Sequence, residues 1–79
     1  MKVRIKFYSD LRDRYASAYS DGIVEVSLKD GSTIGDVFET MQIHNEEVGF
    51  VLLNEKKVQK DAHISEGDLI QFFSFVTGG

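Results

Sequence analysis

The sequence predicts an α+β fold, a mixed sheet packed on one main helix plus a short helix. Three observations predict it. Apolar and polar residues alternate strictly at the start of the chain and again near residue 25, as in half-buried strands. A single strong helical stripe occupies the middle of the sequence, and short polar turns separate the segments without repeat or low-complexity sequence. At 79 residues with 42% hydrophobic content, the chain reads as one domain spanning 1–79, with 76–79 as a flexible C-terminal tail.

Val3, Ile5 and Phe7 alternate with Lys2, Arg4 and Lys6, giving a first strand over 2–8. Ser9 or Asp10 offers an N-cap, and Leu11, Tyr15 and Ala18 or Tyr19 follow at helical spacing, so a short helix is expected to end near Ser20-Asp21-Gly22. Val24, Val26 and Leu28 alternate with Glu25 and Ser27 in a second strand, closed by Lys29-Asp30-Gly31 turn chemistry. Ser32 or Thr33 caps the main helix, whose stripe is Ile34, Val37, Phe38 and Met41, with Asp36 and Glu39 favourable in its N-terminal half. His44–Glu47 is a polar loop. Gly49–Leu53 reads as a short buried strand, followed by an Asn54–Lys57 turn into Val58. Ile64–Asp68 turns the chain into a last strand over 69–76, expected beside the first.

Composition excludes several functions. Without cysteine the chain has no disulfide, no thiol nucleophile and no Cys-based metal site; this suits a reduced, cytoplasmic setting. The opening residues alternate rather than form an apolar leader, and no apolar run is long enough to cross a bilayer, so no membrane role is expected. The formal charge is −4, which disfavours general nucleic-acid binding. That charge is divided. Residues 1–19 hold five basic and two acidic side chains, residues 20–79 four basic and eleven acidic. The division fits either solvated faces of mixed sign or a charged docking surface.

No phosphate-cradling glycine loop and no Gly-x-Ser-x-Gly elbow is present. His44, His63 and Asp61 match no compact metal-ligand spacing, and the acidic pairs Glu46-Glu47 and Glu66/Asp68 fall in turns where solvated carboxylates are the rule. The last strand, Leu69–Val76, is apolar on both faces and carries Phe72, Phe73 and Phe75. It is either a central strand covered twice or the centre of an exposed aromatic patch, and a chain this short favours the patch.

The terminal Gly78-Gly79 is a chance event only about once in two hundred sequences. Two residues without Cβ atoms make a slender tail able to enter a narrow channel on another protein. The Gly79 carboxylate is a poor acyl donor until it is activated, for example as a mixed anhydride with a nucleotide, and this chain has no nucleotide site of its own.

The opening strand running into Phe7-Tyr8-Ser9-Asp10-Leu11-Arg12, then Gly31-Ser32-Thr33-Ile34-Gly35-Asp36-Val37 at the main helix, resemble the small ubiquitin-like β-grasp sulfur carriers. Leu52-Leu53-Asn54, Glu66-Gly67-Asp68 and the terminal Gly78-Gly79 extend the likeness over nearly the whole chain. Those carriers include the small subunit of molybdopterin synthase and the thiazole-pathway carrier. The resemblance implies that an E1-like enzyme adenylates Gly79 with ATP and magnesium, neither held by the carrier itself. A sulfur donor of cysteine desulfurase or rhodanese type then yields a thiocarboxylate. That group delivers sulfur within a molybdopterin synthase large subunit or a thiazole synthase, and Gly78 is the flexible neighbour. Phe72, Phe73, Phe75, Val76 and Thr77, with Arg4 and Lys6, become the candidate partner contacts. The helix between the first two strands favours the molybdopterin branch, where the acceptor is cyclic pyranopterin monophosphate. The Pro-Pro pair usual before its diglycine is replaced here by Phe73–Thr77, which leaves thiazole synthesis, other sulfur transfers and protein modification as alternatives.

Overall fold

A computed structural model describes residues 1–75. Its elements run β1 (Lys2–Phe7), α1 (Asp10–Tyr15), β2 (Ile23–Ser27), α2 (Ile34–Met41), a 3-10 turn (Asn45–Glu47), β3 (Val48–Leu53), β4 (Lys56–Val58) and β5 (Leu69–Ser74). The strands form one mixed sheet in the order β2-β1-β5-β3-β4. β1 and β5 pair in parallel, as expected of the first and last strands, and every other pairing is antiparallel.

The alternation in β1 does what its pattern requires. Val3, Ile5 and Phe7 are buried against α2, whose Ile34, Val37 and Phe38 close the other side of the core. Ile70 and Phe72 of β5 complete it, with the Phe72 ring centroid 5.4 Å from Phe7 and 5.2 Å from Phe38. Burial of these side chains is the main favourable term in a domain this small.

Of the two residues proposed to cap α2, Thr33 does so. Its hydroxyl oxygen accepts from the Asp36 N–H at 3.3 Å while Asp36 Oδ2 accepts from the Thr33 N–H at 2.8 Å, a reciprocal capping box. Thr33→Ala is expected to cost about 1 kcal/mol, which lowers the thermal midpoint by about 4–8 °C in a domain of this size. A calorimetric scan showing no shift would remove the cap from the account.

Most boundaries agree with the sequence expectation to within one residue, and three depart further. α1 stops at Tyr15 rather than near 20–22, because Leu11, Tyr15 and Ala16 exhaust its apolar stripe and Ala18 and Tyr19 are exposed. Neither Ser9 nor Asp10 caps it by side chain; Ser9 occupies the N-cap with φ 55° and makes no such bond. Two turns then carry the chain back to β2 through Gly22, at φ +72°. The β3–β4 turn is tighter than expected: Asn54 and Glu55 alone make it, both with positive φ as a two-residue hairpin loop requires, and Lys56 and Lys57 belong to β4. β5 ends at Ser74; residue 76 of the expected strand and the expected tail, 76–79, lie outside the described residues.

Candidate functional site

Both helices pack on one side of the sheet, among the described residues no helix covers the other side, and the alternation of β1 and β5 decides what that side presents. Lys2, Arg4 and Lys6 project from β1 opposite to the buried Val3, Ile5 and Phe7. In the parallel register Arg4 lies beside Leu69 and Lys6 beside Gln71, and across the antiparallel ladder Arg4 faces Glu25. On the far side Gln71 neighbours Leu52, which neighbours Lys57 of β4.

At the end of this face where β5 finishes, three rings stand in a row. Tyr8 stacks on Phe73 with centroids 4.5 Å apart and planes 10° from parallel, and Phe73 stacks on Phe50 at 4.6 Å and 7°. The row is tethered and charged at both ends. Gln71 donates to the Tyr8 hydroxyl at 2.7 Å, the Lys6 ammonium lies 5.2 Å from the Tyr8 ring centre, and Lys57 lies 5.8 Å from that of Phe50. Phe50 and Phe75 are among the most exposed large apolar side chains described, Phe75 at 60%. A rigid aromatic centre rimmed by lysine and arginine matches the anatomy of a protein-docking surface with an acidic counterpart.

Arg4, Lys6 and Phe73 therefore share one face, with Phe75 just past its edge. Phe72 does not. It is fully buried between Phe7 and Phe38 and belongs to the core, so its assignment as a partner contact is corrected. The strand was apolar on both faces and its parity could not be settled until the pairing with β1 was known. Val76, Thr77, Gly78 and Gly79 lie outside the described residues.

Three members of the face were not singled out from the sequence: Tyr8, Phe50 and Lys57. Tyr8 continues the even-numbered series of Arg4 and Lys6, a signal that was available. Phe50 was concealed by an irregularity. Val48 pairs with Ser74 and Phe50 with Phe73, so Gly49 is an extra residue in β3, a bulge that reverses the strand's parity. Val48 thereby enters the core while Phe50, two residues later, faces solvent.

A second cluster ties α1 to the 3-10 turn beneath the end of β5. Tyr15 donates its hydroxyl to the Glu47 carboxylate, which also pairs with Arg14, and the His44 N–H donates to the Tyr15 hydroxyl oxygen at 3.3 Å. Burial, followed by the bond to Glu47, raises the Tyr15 pKa, which keeps the phenol a neutral donor. Beside the cluster is a cleft of about 230 Å³ bordered by Leu11, Arg14, Glu47 and Phe75. Among the described residues no three His, Asp or Glu side chains converge as a metal site, and no helix is long and apolar enough to cross a membrane. His63 instead places Nδ1 3.1 Å from the Gly31 carbonyl oxygen.

Comparison with known proteins places this geometry. No curated protein sequence matches the chain. Among solved structures it is similar to the Pyrococcus furiosus protein assigned as molybdopterin converting factor, subunit 1 (22% identity, 96% of this chain and 99% of that one, TM-score 0.76). It is similar to SAMP1 from Haloferax volcanii (18% identity, all of both chains, TM-score 0.75). A third likeness is to a chain in the complex of subunits 1 and 2 of molybdopterin-converting factor from Helicobacter pylori (16% identity, all of both chains, TM-score 0.65). At these identities the likeness establishes the fold, which is the expected ubiquitin-like β-grasp. The sequence model described as Mut7-C ubiquitin matches residues 1–75, the whole described domain, and the chain belongs to that family.

Proposed function

We propose that the chain is a ubiquitin-like sulfur carrier whose terminal Gly79 is the reacting residue. The observation that carries this reading is one of placement: the basic, aromatic face runs along β5 and ends at exposed Phe75, and the sequence beyond it closes on Gly78-Gly79. Partner capture and delivery of the terminus then belong to the same strand. In the reaction, a Gly79 carboxylate oxygen attacks the α-phosphorus of ATP held by an E1-like enzyme with magnesium, and pyrophosphate leaves. The outer sulfur of a persulfide on a cysteine desulfurase or rhodanese-type donor then attacks the acyl carbon and AMP leaves. A cellular thiol reduces the resulting acyl disulfide, so that a thiocarboxylate remains and the donor cysteine leaves in a disulfide with that thiol. This chain supplies the docking face and the carboxylate and leaves nucleotide binding to its partner.

The acceptor favoured here is a molybdopterin synthase large subunit. The likeness to subunit 1 of molybdopterin converting factor, and to the complex of its two subunits, supports that choice over a thiazole synthase. A second reading, a protein modifier joined through Gly79 to a target lysine, draws on the likeness to the Haloferax volcanii SAMP1, small archaeal modifier protein 1. Both readings share the activation step and part at its product, a thiocarboxylate or an isopeptide.

Incubation with an E1-like adenylating enzyme, ATP and magnesium is expected to release pyrophosphate in step with acyl-adenylate on Gly79; no release would sink both readings. In the same assay, reversing the charge of Arg4 and Lys6 together is expected to weaken binding about tenfold at low ionic strength and to flatten its salt dependence. Unchanged binding would reduce those residues to a solvated face.

A further inference from the structure

We propose that the outer edge of β2 is a strand-addition site for an extended, basic segment of a partner protein. The site is separate from the carrier reading, which uses the open face and the terminus. Among the described residues β1 is the one neighbour of β2 in the sheet. The ladder between them fixes which backbone groups are used. At one end the Phe7 N–H donates to the Gly22 carbonyl, and at the other Met1 and Leu28 exchange both bonds. In the unbroken register between these anchors, Val24 and Val26 are the residues that bond to β1. Ile23, Glu25 and Ser27 therefore turn their N–H and C=O groups outward. The Asp21 carboxylate accepts from the Ile23 N–H at 3.0 Å, and among the described residues no backbone partner meets those of Glu25 and Ser27.

An unpaired edge is a template for another strand unless the fold blunts it. The opposite edge is blunted, since β4 is three residues long and carries Lys56 and Lys57. β2 has none of these devices. It runs Ile23-Val24-Glu25-Val26-Ser27, with three β-branched side chains, no lysine, no proline and no register shift. The surroundings select the occupant by charge. From Asp21 to Met41 the chain carries five carboxylates, Asp21, Glu25, Asp30, Asp36 and Glu39, against Lys29 alone. Glu25 is exposed and has Arg4 opposite it across the inner ladder, so its outer flank accommodates a second cation. On the helix side, the end of β2 opens into a cleft of about 310 Å³ between Leu28 and the α2 residues Asp36, Glu39 and Thr40. A strand alternating basic with β-branched residues, as β1 does on the inner edge, sets its cations beside Glu25 and its apolar side chains beside Val26 and Leu28. A second copy of this chain fits poorly, because pairing two β2 edges about Glu25 brings the two carboxylates opposite one another.

The test uses the full chain and a short, end-blocked peptide that alternates lysine with valine. With the peptide in millimolar excess, hydrogen exchange of the Glu25 and Ser27 amides, read by NMR, is expected to slow about tenfold. Two control peptides separate the contributions. The same peptide N-methylated throughout keeps its charge and loses its backbone donors, and a glutamate-for-lysine peptide keeps the donors and reverses the charge. Both are expected to leave exchange unchanged. Glu25→Lys, an exposed substitution, is expected to weaken binding of the basic peptide about tenfold at low ionic strength. Unslowed exchange at Glu25 and Ser27 overturns the proposal, as does equal slowing by either control peptide or undiminished binding by Glu25→Lys. Slow exchange of both amides before any peptide is added, in a protein that sediments as a dimer, also overturns it by giving the edge to a second copy. None of these readings involves adenylation, so they stand or fall apart from the carrier reading.

Discussion

Deletion of Gly79 is expected to abolish activation and sulfur transfer completely while the thermal midpoint stays within about 2 °C of wild type. Among the described residues the core runs from Val3 to Phe72 and the five strands end at Ser74, so the deletion removes none of these residues. What it removes is the carboxylate on which the proposed chemistry acts, or more strictly its position, since the new terminus would be Gly78, one residue short. An enzyme channel that aligns an acyl oxygen with phosphorus tolerates little such displacement. Gly78→Ala and Gly79→Ala probe the same tail more gently, by adding a Cβ where a narrow channel is expected. Both should lose transfer sharply at unchanged stability. Normal transfer by the deleted chain would mean that the diglycine is incidental and that the chain is a binding module.

Two neighbouring phenylalanines are expected to fail in opposite ways. Phe72→Ala empties a fully buried site between Phe7 and Phe38, at a cost of about 3–5 kcal/mol. That is comparable with the whole stability a core of this size supplies, so the variant is expected to be largely unfolded at 37 °C. Phe73→Ala instead removes the middle ring of the exposed row, leaving Tyr8 and Phe50 without their shared stacking partner. It is expected to keep its near-native circular dichroism and lose about tenfold or more in affinity for the adenylating enzyme, as a central aromatic anchor should. Denaturation curves beside binding isotherms separate the two. A folded Phe72→Ala with weakened binding, or a Phe73→Ala that binds normally, would contradict the division of β5 into a core face and a docking face.

Where one physical signal acted alone, the sequence was legible. β1 alternates without exception because one of its faces is buried and the other is not, and the α2 stripe is unambiguous over two turns. β5 was harder, since aromatic residues occupy both faces; only its parallel register with β1, a contact between the two ends of the chain, assigns Phe72 inward and Phe73 outward. β3 concealed more. Read as an unbroken apolar run it has no parity, and the extra residue at Gly49, which depends on backbone approach from Ser74, is invisible without the partner strand. The first helix was overextended because Ala18 and Tyr19 match helical spacing but have nothing to pack against.

The candidate site divides along the same line. Arg4 and Lys6 could be named from local pattern and charge, whereas Phe73 could be named only together with the buried Phe72. The complete face could not, because Phe50 and Lys57 reach it from strands distant in sequence through register alone. The expected contacts Val76 and Thr77, and the proposed reacting Gly79 with its neighbour Gly78, rest on the sequence and its resemblance, since they lie beyond the described residues.

The central claim is that Gly79 carries sulfur, and its most direct test is an intact mass with C-terminal peptide sequencing of the protein isolated from its own growing cells. The account predicts a fraction in which one oxygen at Gly79 is replaced by sulfur, absent from the Gly79-deleted chain. A terminus that is always a plain carboxylate, even after ATP, magnesium, an E1-like enzyme and a sulfur donor are supplied together, would contradict it.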